Sequence, residues 1–379
     1  MKILLIMAGF FPGKKYGGPP VSADNFCSLM KSDECFIITT NHDMNELNPY
    51  EGIQNDVWIK RDNCSVMYVS NRDYNKTTFR NVILEINPDI LYLQGLFQKC
   101  VLPCLMLSKK LKIKVLLAPR GELCEGAFKK KYKKIPYILL CKFMNLFKNV
   151  HFQSTSEEET LCIKKYLGVI DNRIHFLTNV PSIPNKKYIR NEKKTGEAKF
   201  IFLSRVHPKK NLISAIKYFK SIKGKAVFDI YGPIEDEGYW KECKQEIDRL
   251  PDNIVVNYCG LVSHDEVHQV LSLYDAFVFP TFSENYGHVI AESLIVGTPV
   301  LLGKGTTPWD DINGVAGFTA DLNDHEAFVA YINSIIDMDC KEYASLTHAV
   351  FRYINDKLEL DHLRKEYDMV LKMISRDGV

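Results

Sequence analysis

Residues 276–303 read AFVFPTFSENYGHVIAESLIVGTPVLLG and combine a buried strand, a polar loop, a short amphipathic helix and a second buried strand. The two apolar runs are short and rich in Val, Phe and Leu, which is typical of parallel strands that are covered on both faces. Gly287 precedes the helical stretch, and Gly297 follows it where a helix would end. The segment therefore predicts a strand, loop, helix and strand of an open α/β sheet.

Apolar runs of this kind recur in two series separated by a polar stretch. The first series is ILLIM at 3, CFIIT at 35, ILYLQ at 90, VLLAP at 115, HFQST at 151 and IHFLT at 174. The second series is FIFLS at 200, VFDIYG at 227, IVVNY at 254, AFVFPT at 276 and PVLLG at 299. Residues 181–198 are polar, contain Pro and Gly and lack periodicity, so we expect an interdomain linker there. Two S-x-x-E sequences, at Ser156 and at Ser263, predict capping boxes at helix starts.

Composition narrows the class of protein. The 379 residues are 46% hydrophobic and 25% charged, which suits two globular domains. No run of about 18 apolar residues is present, and the N-terminus has no cleavage site, so we expect neither a membrane helix nor a signal peptide. The eleven Cys residues form no C-x-x-C pair, which predicts reduced thiols in a cytoplasmic protein and no zinc site.

The charge is unevenly distributed along the chain. Residues 1–190 hold 28 Lys and Arg against 17 Asp and Glu, whereas the remainder hold 21 against 29. A basic N-terminal half suits a phospholipid surface, a lipid-pyrophosphate acceptor or a nucleic acid, and the sign alone does not choose among them. Residues 128–143, FKKKYKKIPYILLCKF, suit either an anionic membrane surface, bound through Lys129 to Lys134, or a solvated helix face. Without a recognised binding module we expect no nucleic-acid partner.

The loop of residues 281–287 carries the first candidate site. Backbone N–H groups from Asn285 through Tyr286 and Gly287 to His288 open a helix at a strand's carboxyl end, where phosphates and carboxylates bind. Glu284 lies in the loop, and Glu292 lies about two helical turns further on. Carboxylates bind sugar hydroxyls well, so one could hold a hexose and the other a ribose diol. Two solvated surface glutamates are the alternative.

A basic loop follows the strand FIFLS. Arg205, Lys209 and Lys210 lie between this strand and the helix that begins near Asn211. Cations at a sheet edge either bind an anionic partner or form a solvated basic turn, and the residues alone leave both open.

With these motifs in place, the chain resembles the retaining glycosyltransferases of the GT-B fold, in particular glycosyltransferase family 4, the group 1 glycosyltransferases. SENYGHVIAESLIVGTPV is similar to the family's E-x7-E signature, which implies that Glu284 contacts the donor sugar and Glu292 the nucleotide ribose. SRVHPKKN is similar to the family's G-R-L-x-x-x-K-N stretch. That likeness implies that Arg205 and Lys210 bind the donor pyrophosphate.

Other stretches resemble the family more loosely. YGPIED resembles a family region near the nucleotide base, which implies that Gly232 lies there. GKKYGGPP resembles the first glycine-rich loop, so Gly17 and Gly18 are expected to meet the donor phosphates. PDILYLQGLF has Gln94 in place of a family His, and APRGEL resembles the acceptor-side motif. The resemblance thus assigns Gln94, Arg120 and Glu122 to the acceptor side.

The resemblance implies an α/β GT-B fold with two facing Rossmann-like domains. The expected parts are an acceptor domain at 1–180, a linker at 181–198, a nucleotide-sugar donor domain at 199–356 and a helix at 357–379 that crosses back. The implied activity is hexose transfer with retention, from a nucleotide-diphosphate sugar to a glycan or lipid-pyrophosphate acceptor, in capsule or lipopolysaccharide synthesis. No cofactor and no metal are expected, because the D-M-D at 337–339 follows no strand. The alternatives are a sugar-nucleotide epimerase and a non-catalytic nucleotide-sugar binding protein.

Overall fold

The computed structural model describes residues 1–124, 131–184, 188, 190 and 192–377, and these form two compact units. One unit is Met1–Val180 with Leu360–Val379, and the other is Pro181–Glu359. The expected linker thus falls within the second unit, although its positions 185–187, 189 and 191 lie outside the described residues. Arg190 is anchored in that unit, because its guanidinium donates to the Val296 carbonyl and the Thr298 hydroxyl.

The first unit is built on one sheet whose described strands number eight. The strands are β1 (Lys2–Ile6), β2 (Glu34–Thr40), β3 (Trp58–Lys60), β4 (Ser65–Val69), β5 (Ile90–Gln94), β6 (Lys114–Ala118), β7 (Val150–Ser154) and β8 (Ile174–Phe176). The helices are α1 (Gly18–Leu29), α2 (Lys76–Ile86), α3 (Val101–Leu111), α4 (Lys131–Phe143) and α5 (Glu157–Leu167). The order is β3-β4-β2-β1-β5-β6-β7-β8, and only β3 pairs antiparallel among these strands.

Two hydrophobic cores explain why a central strand of this sheet such as β1 is a continuous apolar run. In β1, Leu4 and Ile6 pack into one core, while Ile3 and Leu5 pack into the core on the opposite face. All four side chains are fully buried. Alternating residues of a strand point to opposite faces, so a sheet covered on both sides needs a continuous apolar run.

The second unit holds a six-stranded parallel sheet among the residues described. Its strands are β9 (Glu197–Leu203), β10 (Lys225–Tyr231), β11 (Ile254–Gly260), β12 (Ala276–Phe279), β13 (Val300–Gly303) and β14 (Gly317–Ala320). Its helices are α6 (Leu212–Tyr218), α7 (Glu237–Ile247), α8 (Val267–Leu271), α9 (His288–Ile295), α10 (His325–Asp337) and α11 (Cys340–Lys357). The order β11-β10-β9-β12-β13-β14 places β9 and β12 side by side at the centre.

The last helix, α12 (Leu360–Arg376), belongs to the first unit although it follows the second in the chain. Its buried residues Leu363, Tyr367 and Leu371 join the core beneath β1, β5 and β6. The Tyr367 hydroxyl donates to the Thr178 carbonyl at 2.9 Å and accepts a hydrogen bond from the Gln153 amide at 2.8 Å. The prediction of two α/β units with a returning C-terminal helix is confirmed.

Candidate functional site

The carboxyl ends of β9 and β12 form the site in the second unit. From β9 the chain proceeds outward to β10 and β11, and then returns to the other side of β9 as β12. Loops that leave two neighbouring strands in opposite directions diverge and open a crevice, which is where open α/β sheets bind ligands. Lys210 follows β9 and Glu284 follows β12, so the topology brings both residues to this switch point.

Lys210 and Glu284 form an ion pair at the switch point. The Lys210 Nζ donates to the Glu284 carboxylate, and the two side chains are only 9% and 18% exposed. The ammonium also lies 5.5 Å from the centre of the Phe279 ring, a cation–π contact that helps to hold it. Removing two charges from water is costly, so a buried ion pair of this kind need not stabilise the fold. Two charged side chains held at a switch point suit the binding of a charged ligand.

Hydrogen bonds join the two loops that carry this pair. The N–H of Phe282 donates to the Lys209 carbonyl at 3.0 Å, and the Asn211 side-chain amide donates to the Pro280 carbonyl at 3.0 Å. Asn211 has a left-handed backbone with φ of 56°, which Asn tolerates better than most residues. The Glu284 N–H donates to the Thr306 carbonyl at 2.8 Å, so the loop after β13 also supports the carboxylate.

Glu292 is a buried carboxyl on the second turn of α9. It is 4% exposed, and burial raises its pKa from 4.5 to about 7. Among the described residues, the carboxyl has neither a hydrogen-bond partner nor an ion-pair partner. A buried polar group without a partner is costly unless a ligand satisfies it. Because α9 begins at His288, Glu284 precedes the helix, and the spacing of about two helical turns does not place the two carboxylates on one helix face.

Arg205 has a different acidic partner from Lys210. One terminal nitrogen of its guanidinium lies 2.9 Å from each carboxylate oxygen of Glu235, and the guanidinium is 41% exposed. Glu235 lies in the loop after β10, three residues beyond Gly232 in the sequence. The two predicted pyrophosphate-binding cations are thus each neutralised by a glutamate. Sequence reasoning did not identify Glu235, although it lies in the stretch YGPIED that was compared with the family.

The start of α9 presents the predicted anion donors. Gly287 is the N-cap residue with φ of 77°, and a Cβ atom there would lie 2.7 Å from the Ile290 side chain. The Tyr286 carbonyl accepts from the Trp309 indole at 2.5 Å, and the Tyr286 ring packs against that of His288 at 5.0 Å. The Gly287 and Val289 amides donate to no acceptor in the described part of the chain, as is usual at a helix start.

Gly232 is required by a close backbone approach. Its φ is 130°, and a Cβ atom there would overlap the Ser204 carbonyl oxygen at the end of β9. The Gly232 carbonyl accepts from the Tyr258 hydroxyl at 2.8 Å. The structure therefore gives this glycine a packing role, and the nearness to a base that the resemblance implies stays a prediction.

We expect Gly232→Ala to lower the free energy of unfolding by about 2 kcal/mol, because the methyl group must push two strand ends apart. Gly238→Ala is the matched control, since this glycine lies in the first turn of α7 and a Cβ atom would only approach the Asp236 carboxylate at 3.3 Å. Urea unfolding of both variants measures the difference. Equal stabilities would contradict the packing role of Gly232.

In the first unit, Gly17 and Gly18 open α1. Gly17 is the N-cap with φ of 70°, and a Cβ atom there would meet nothing within 4 Å. The preceding loop is held by Asp43, whose carboxylate accepts from the Lys14 and Lys15 amides at 2.8 and 3.1 Å. The loop is thus shaped by a carboxylate at the end of β2, which the sequence did not reveal.

Gln94 and Arg120 meet at the carboxyl ends of β5 and β6. The Arg120 guanidinium donates to the Gln94 side-chain oxygen at 2.6 Å, to the Tyr92 hydroxyl at 3.1 Å and to the Asn179 side chain. Arg120 has no carboxylate partner among the described residues. The Gln94 side-chain nitrogen is buried without a hydrogen-bond partner. The assignment of Gln94 and Arg120 to the acceptor side stays a prediction.

Glu122 supports the loop after β5. Its carboxylate accepts from the Leu96 and Phe97 amides at 2.5 and 3.1 Å, and burial raises its pKa despite these bonds. These contacts show a loop-supporting role, and the assignment of Glu122 to the acceptor stays a prediction.

The D-M-D at 337–339 begins at the last residue of α10 and ends at the N-cap of α11. Asp339 caps α11 by accepting from the Lys341 and Glu342 amides at 2.8 and 2.9 Å. Its carboxylate is therefore engaged in a helix cap.

Comparisons with known proteins match this architecture. Residues 185–350 match the family model described as "Glycosyl transferases group 1". HepE from Anabaena, in a crystal structure with UDP and glucose, superposes with a TM-score of 0.72 at 15% identity, covering 98% of this chain and 100% of that one. The chain has the GT-B fold. The residues that match the family model all lie within its second unit.

Two curated relatives match over part of this GT-B chain. O-antigen chain mannosyltransferase B from Escherichia coli is 25% identical over 152 residues, which cover 38% of this chain and 39% of the relative. The GtfA subunit of the UDP-N-acetylglucosamine–peptide N-acetylglucosaminyltransferase from Streptococcus agalactiae is 28% identical over 158 residues, covering 39% and 30% respectively. The matched regions thus span less than half of either relative.

Proposed function

We propose that this chain is a glycosyltransferase of family 4 that transfers a hexose from a UDP-sugar to a glycan or lipid-pyrophosphate acceptor in surface polysaccharide synthesis. The observation that carries the proposal is the pairing of Lys210 with Glu284 at the switch point. Both residues lie within the stretch 185–350 that matches the group 1 glycosyl transferase model. UDP is favoured because HepE binds UDP and the GtfA relative is named for a UDP-sugar. The O-antigen relative favours a polysaccharide acceptor.

The charges at the switch point suit the departure of a nucleoside diphosphate. Breaking the sugar–phosphate bond increases the negative charge on the pyrophosphate, and fixed cations and amides stabilise that charge in the transition state. Lys210 and Arg205 supply the cations, and the Gly287 and Val289 amides supply further donors. On binding, the pyrophosphate replaces Glu284 and Glu235 as the partner of these cations.

The glutamates then serve the sugar parts of the donor. Glu284, released from Lys210, accepts from hexose hydroxyls, and Glu292 accepts from the ribose diol. A ribose hydroxyl would give the buried Glu292 carboxyl the partner that it lacks in the protein. We propose that the reaction retains the anomeric configuration, with the departing phosphate oxygen receiving the acceptor proton. Charge stabilisation by Lys210 and Arg205 supports turnover without a metal ion.

Product analysis tests this function and separates it from its alternatives. The chain is incubated with each UDP-hexose, with and without lipid-pyrophosphate-linked saccharides, and UDP release and the products are measured. A transferase releases UDP only with an acceptor and lengthens that acceptor. An epimerase converts the donor without an acceptor, and a binding protein changes neither, so either result would overturn the proposal.

A second proposal concerns α4 as an anionic membrane contact. Its exposed face is apolar, with Tyr132, Leu139 and Phe143 being 72%, 58% and 90% exposed. Lys133 and Lys142, both exposed, flank this face on its two sides. Among the described helices none is long and apolar enough to cross a bilayer. A helix with exposed apolar residues between lysines can bind in the plane of an anionic membrane surface. Lys129 and Lys130 of the predicted basic run lie outside the described residues.

Vesicle flotation checks this contact. We expect wild-type protein to float with vesicles containing anionic lipid, and Leu139→Glu/Phe143→Glu to remain unbound, because two apolar anchors become negatively charged. Leu161→Glu, a 64% exposed leucine on α5, is the matched control and should still float. Equal recovery with neutral and anionic vesicles would contradict the proposal.

A further inference from the structure

Two thiols and a carboxylate converge in the first unit, where the loop that follows β6 meets α5. The Sγ atoms of Cys124 and Cys162 and a carboxylate oxygen of Glu158 all lie within 4.8 Å of one another. It is the one group of His, Cys, Asp and Glu side chains with this geometry in the described part of the chain. No zinc site was expected from the sequence, because the eleven cysteines form no C-x-x-C pair.

The backbone holds these groups in place before any ligand binds. Glu158 and Cys162 are four residues apart on α5, so both project from the same side of that helix. The Cys124 N–H donates to the Gly121 carbonyl at 3.0 Å, which fixes the turn that carries the second thiol. The Gly121 N–H donates in turn to the Glu159 carboxylate at 2.6 Å, which joins the loop directly to α5.

The donor set suits a thiophilic divalent ion. Zinc is bound by thiolates and carboxylates at about 2.0 to 2.3 Å in tetrahedral geometry, and ligands within 4.8 Å of one another converge on such an ion after small rotations. Glu158 has no ion-pair partner among the described residues. Both thiols are partly accessible and Glu158 is exposed, so an ion can enter from solvent.

We propose that Cys124, Glu158 and Cys162 bind one Zn²⁺ ion, with water as the fourth ligand. The ion replaces the two thiol protons, so each Zn²⁺ that binds releases up to two protons, and binding weakens as the pH falls. The bound ion holds the loop that contains Arg120 and Glu122 against α5. The conformation of the predicted acceptor side therefore depends on whether Zn²⁺ is bound.

Zinc titration of the full chain tests the site. Metal-free protein in a non-thiol reductant is dialysed against Zn²⁺ at neutral pH, and the bound metal is measured by mass spectrometry. We expect one ion per chain, and loss of that ion in Cys124→Ser and in Cys162→Ser. Glu158→Gln should raise the Kd at least about tenfold, since weakening even an outer-shell group costs about 10- to 100-fold. Cys340→Ser, which removes an exposed cysteine at the start of α11, should bind as wild type.

The spectrum of bound Co²⁺ supplies a second readout that does not depend on activity. Thiolate-to-cobalt charge-transfer bands and tetrahedral visible bands are expected in the wild type and absent in Cys162→Ser, whose fold is checked by circular dichroism. The site is overturned if wild-type protein binds no Zn²⁺, or if the cysteine variants bind it as well as wild type. The site would also be overturned if the protein is recovered with a Cys124–Cys162 disulfide and, after reduction of that disulfide, still binds no Zn²⁺. Unchanged affinity in Glu158→Gln would overturn the three-ligand assignment.

Discussion

Lys210→Met is expected to lower the rate of sugar transfer about 100- to 1000-fold, the usual effect of removing one preorganised donor to a developing anion. The ammonium is held at the switch point by Glu284 and by the Phe279 ring, so it already lies where the proposed pyrophosphate would replace Glu284 as its partner. The loss should appear mainly in kcat, because the charge on the phosphate grows in the transition state. Steady-state kinetics of UDP release with acceptor measures it.

Stability and rate must be separated for this variant, since Lys210→Met also leaves the Glu284 carboxylate without its partner. The double variant Lys210→Met/Glu284→Gln removes both charges and should regain most of any lost thermal stability while remaining inactive. Lys220→Met is the control, because it breaks an exposed ion pair with Glu246 and should keep near wild-type turnover. A stable, active double variant would contradict the catalytic role of Lys210.

Glu292→Gln is expected to stabilise the ligand-free protein above neutral pH while weakening nucleotide binding. The folded pKa of about 7 lies well above the ordinary 4.5, because the carboxyl is buried without a partner. At about 1.4 kcal/mol per unit, this shift corresponds to about 3 kcal/mol. The amide cannot ionise, so the variant avoids the cost of burying a charge.

The sign of the pH dependence follows from proton uptake. Between pH 4.5 and about 7, the folded protein keeps the Glu292 proton longer than the unfolded chain does. The stability contributed by Glu292 is thus fully present below pH 4.5 and is lost as the pH rises through 7. Melting curves at pH 5 and pH 8 should show little difference between wild type and Glu292→Gln at the lower pH, and a clearly more stable variant at the higher pH.

Glu326→Gln, at an exposed position in the first turn of α10, is the control for this experiment. It should melt like wild type at both pH values. A Glu292→Gln variant that is less stable than wild type at pH 8 would show that the carboxylate has a stabilising partner, and would remove the reason to assign it a ligand.

Much of the fold could be predicted from the sequence because its parallel strands are continuous apolar runs. Runs such as ILLIM, FIFLS and AFVFPT all correspond to strands. The strands β3, β4 and β14 went unpredicted. All three residues of β3 are half-exposed or exposed, and β14 alternates buried with half-exposed residues, so neither shows a continuous buried run.

The two predicted capping boxes show which contacts a local sequence pattern predicts and which it does not. At Ser263 both reciprocal hydrogen bonds form with Glu266, as predicted. At Ser156 the hydroxyl accepts from the Glu159 N–H, but the Glu159 carboxylate binds Gly121 and Thr155 instead of completing the box. A distant loop competes successfully for the carboxylate, and a local sequence pattern contains no information about that loop.

The candidate site likewise contains residues that could be predicted from the sequence and contacts that could not. Lys210 and Glu284 could be predicted because each follows a strand, and the switch point then brings them together. The pairing of Arg205 with Glu235 and the hold of Asp43 on the loop before α1 depend on which strands become neighbours. The same holds for Cys124 and Cys162, which belong to separate segments and meet only when the loop after β6 packs against α5.

Calorimetric titration with UDP tests the central claim, that a nucleotide diphosphate binds at the carboxyl ends of β9 and β12. The account predicts saturable binding by wild type and by Glu326→Gln, with the affinity reduced at least about tenfold, or about 1.4 kcal/mol, in both Lys210→Met and Glu292→Gln. If wild type binds no UDP, or if both site variants bind it with unchanged affinity, the assignment of the nucleotide site is wrong.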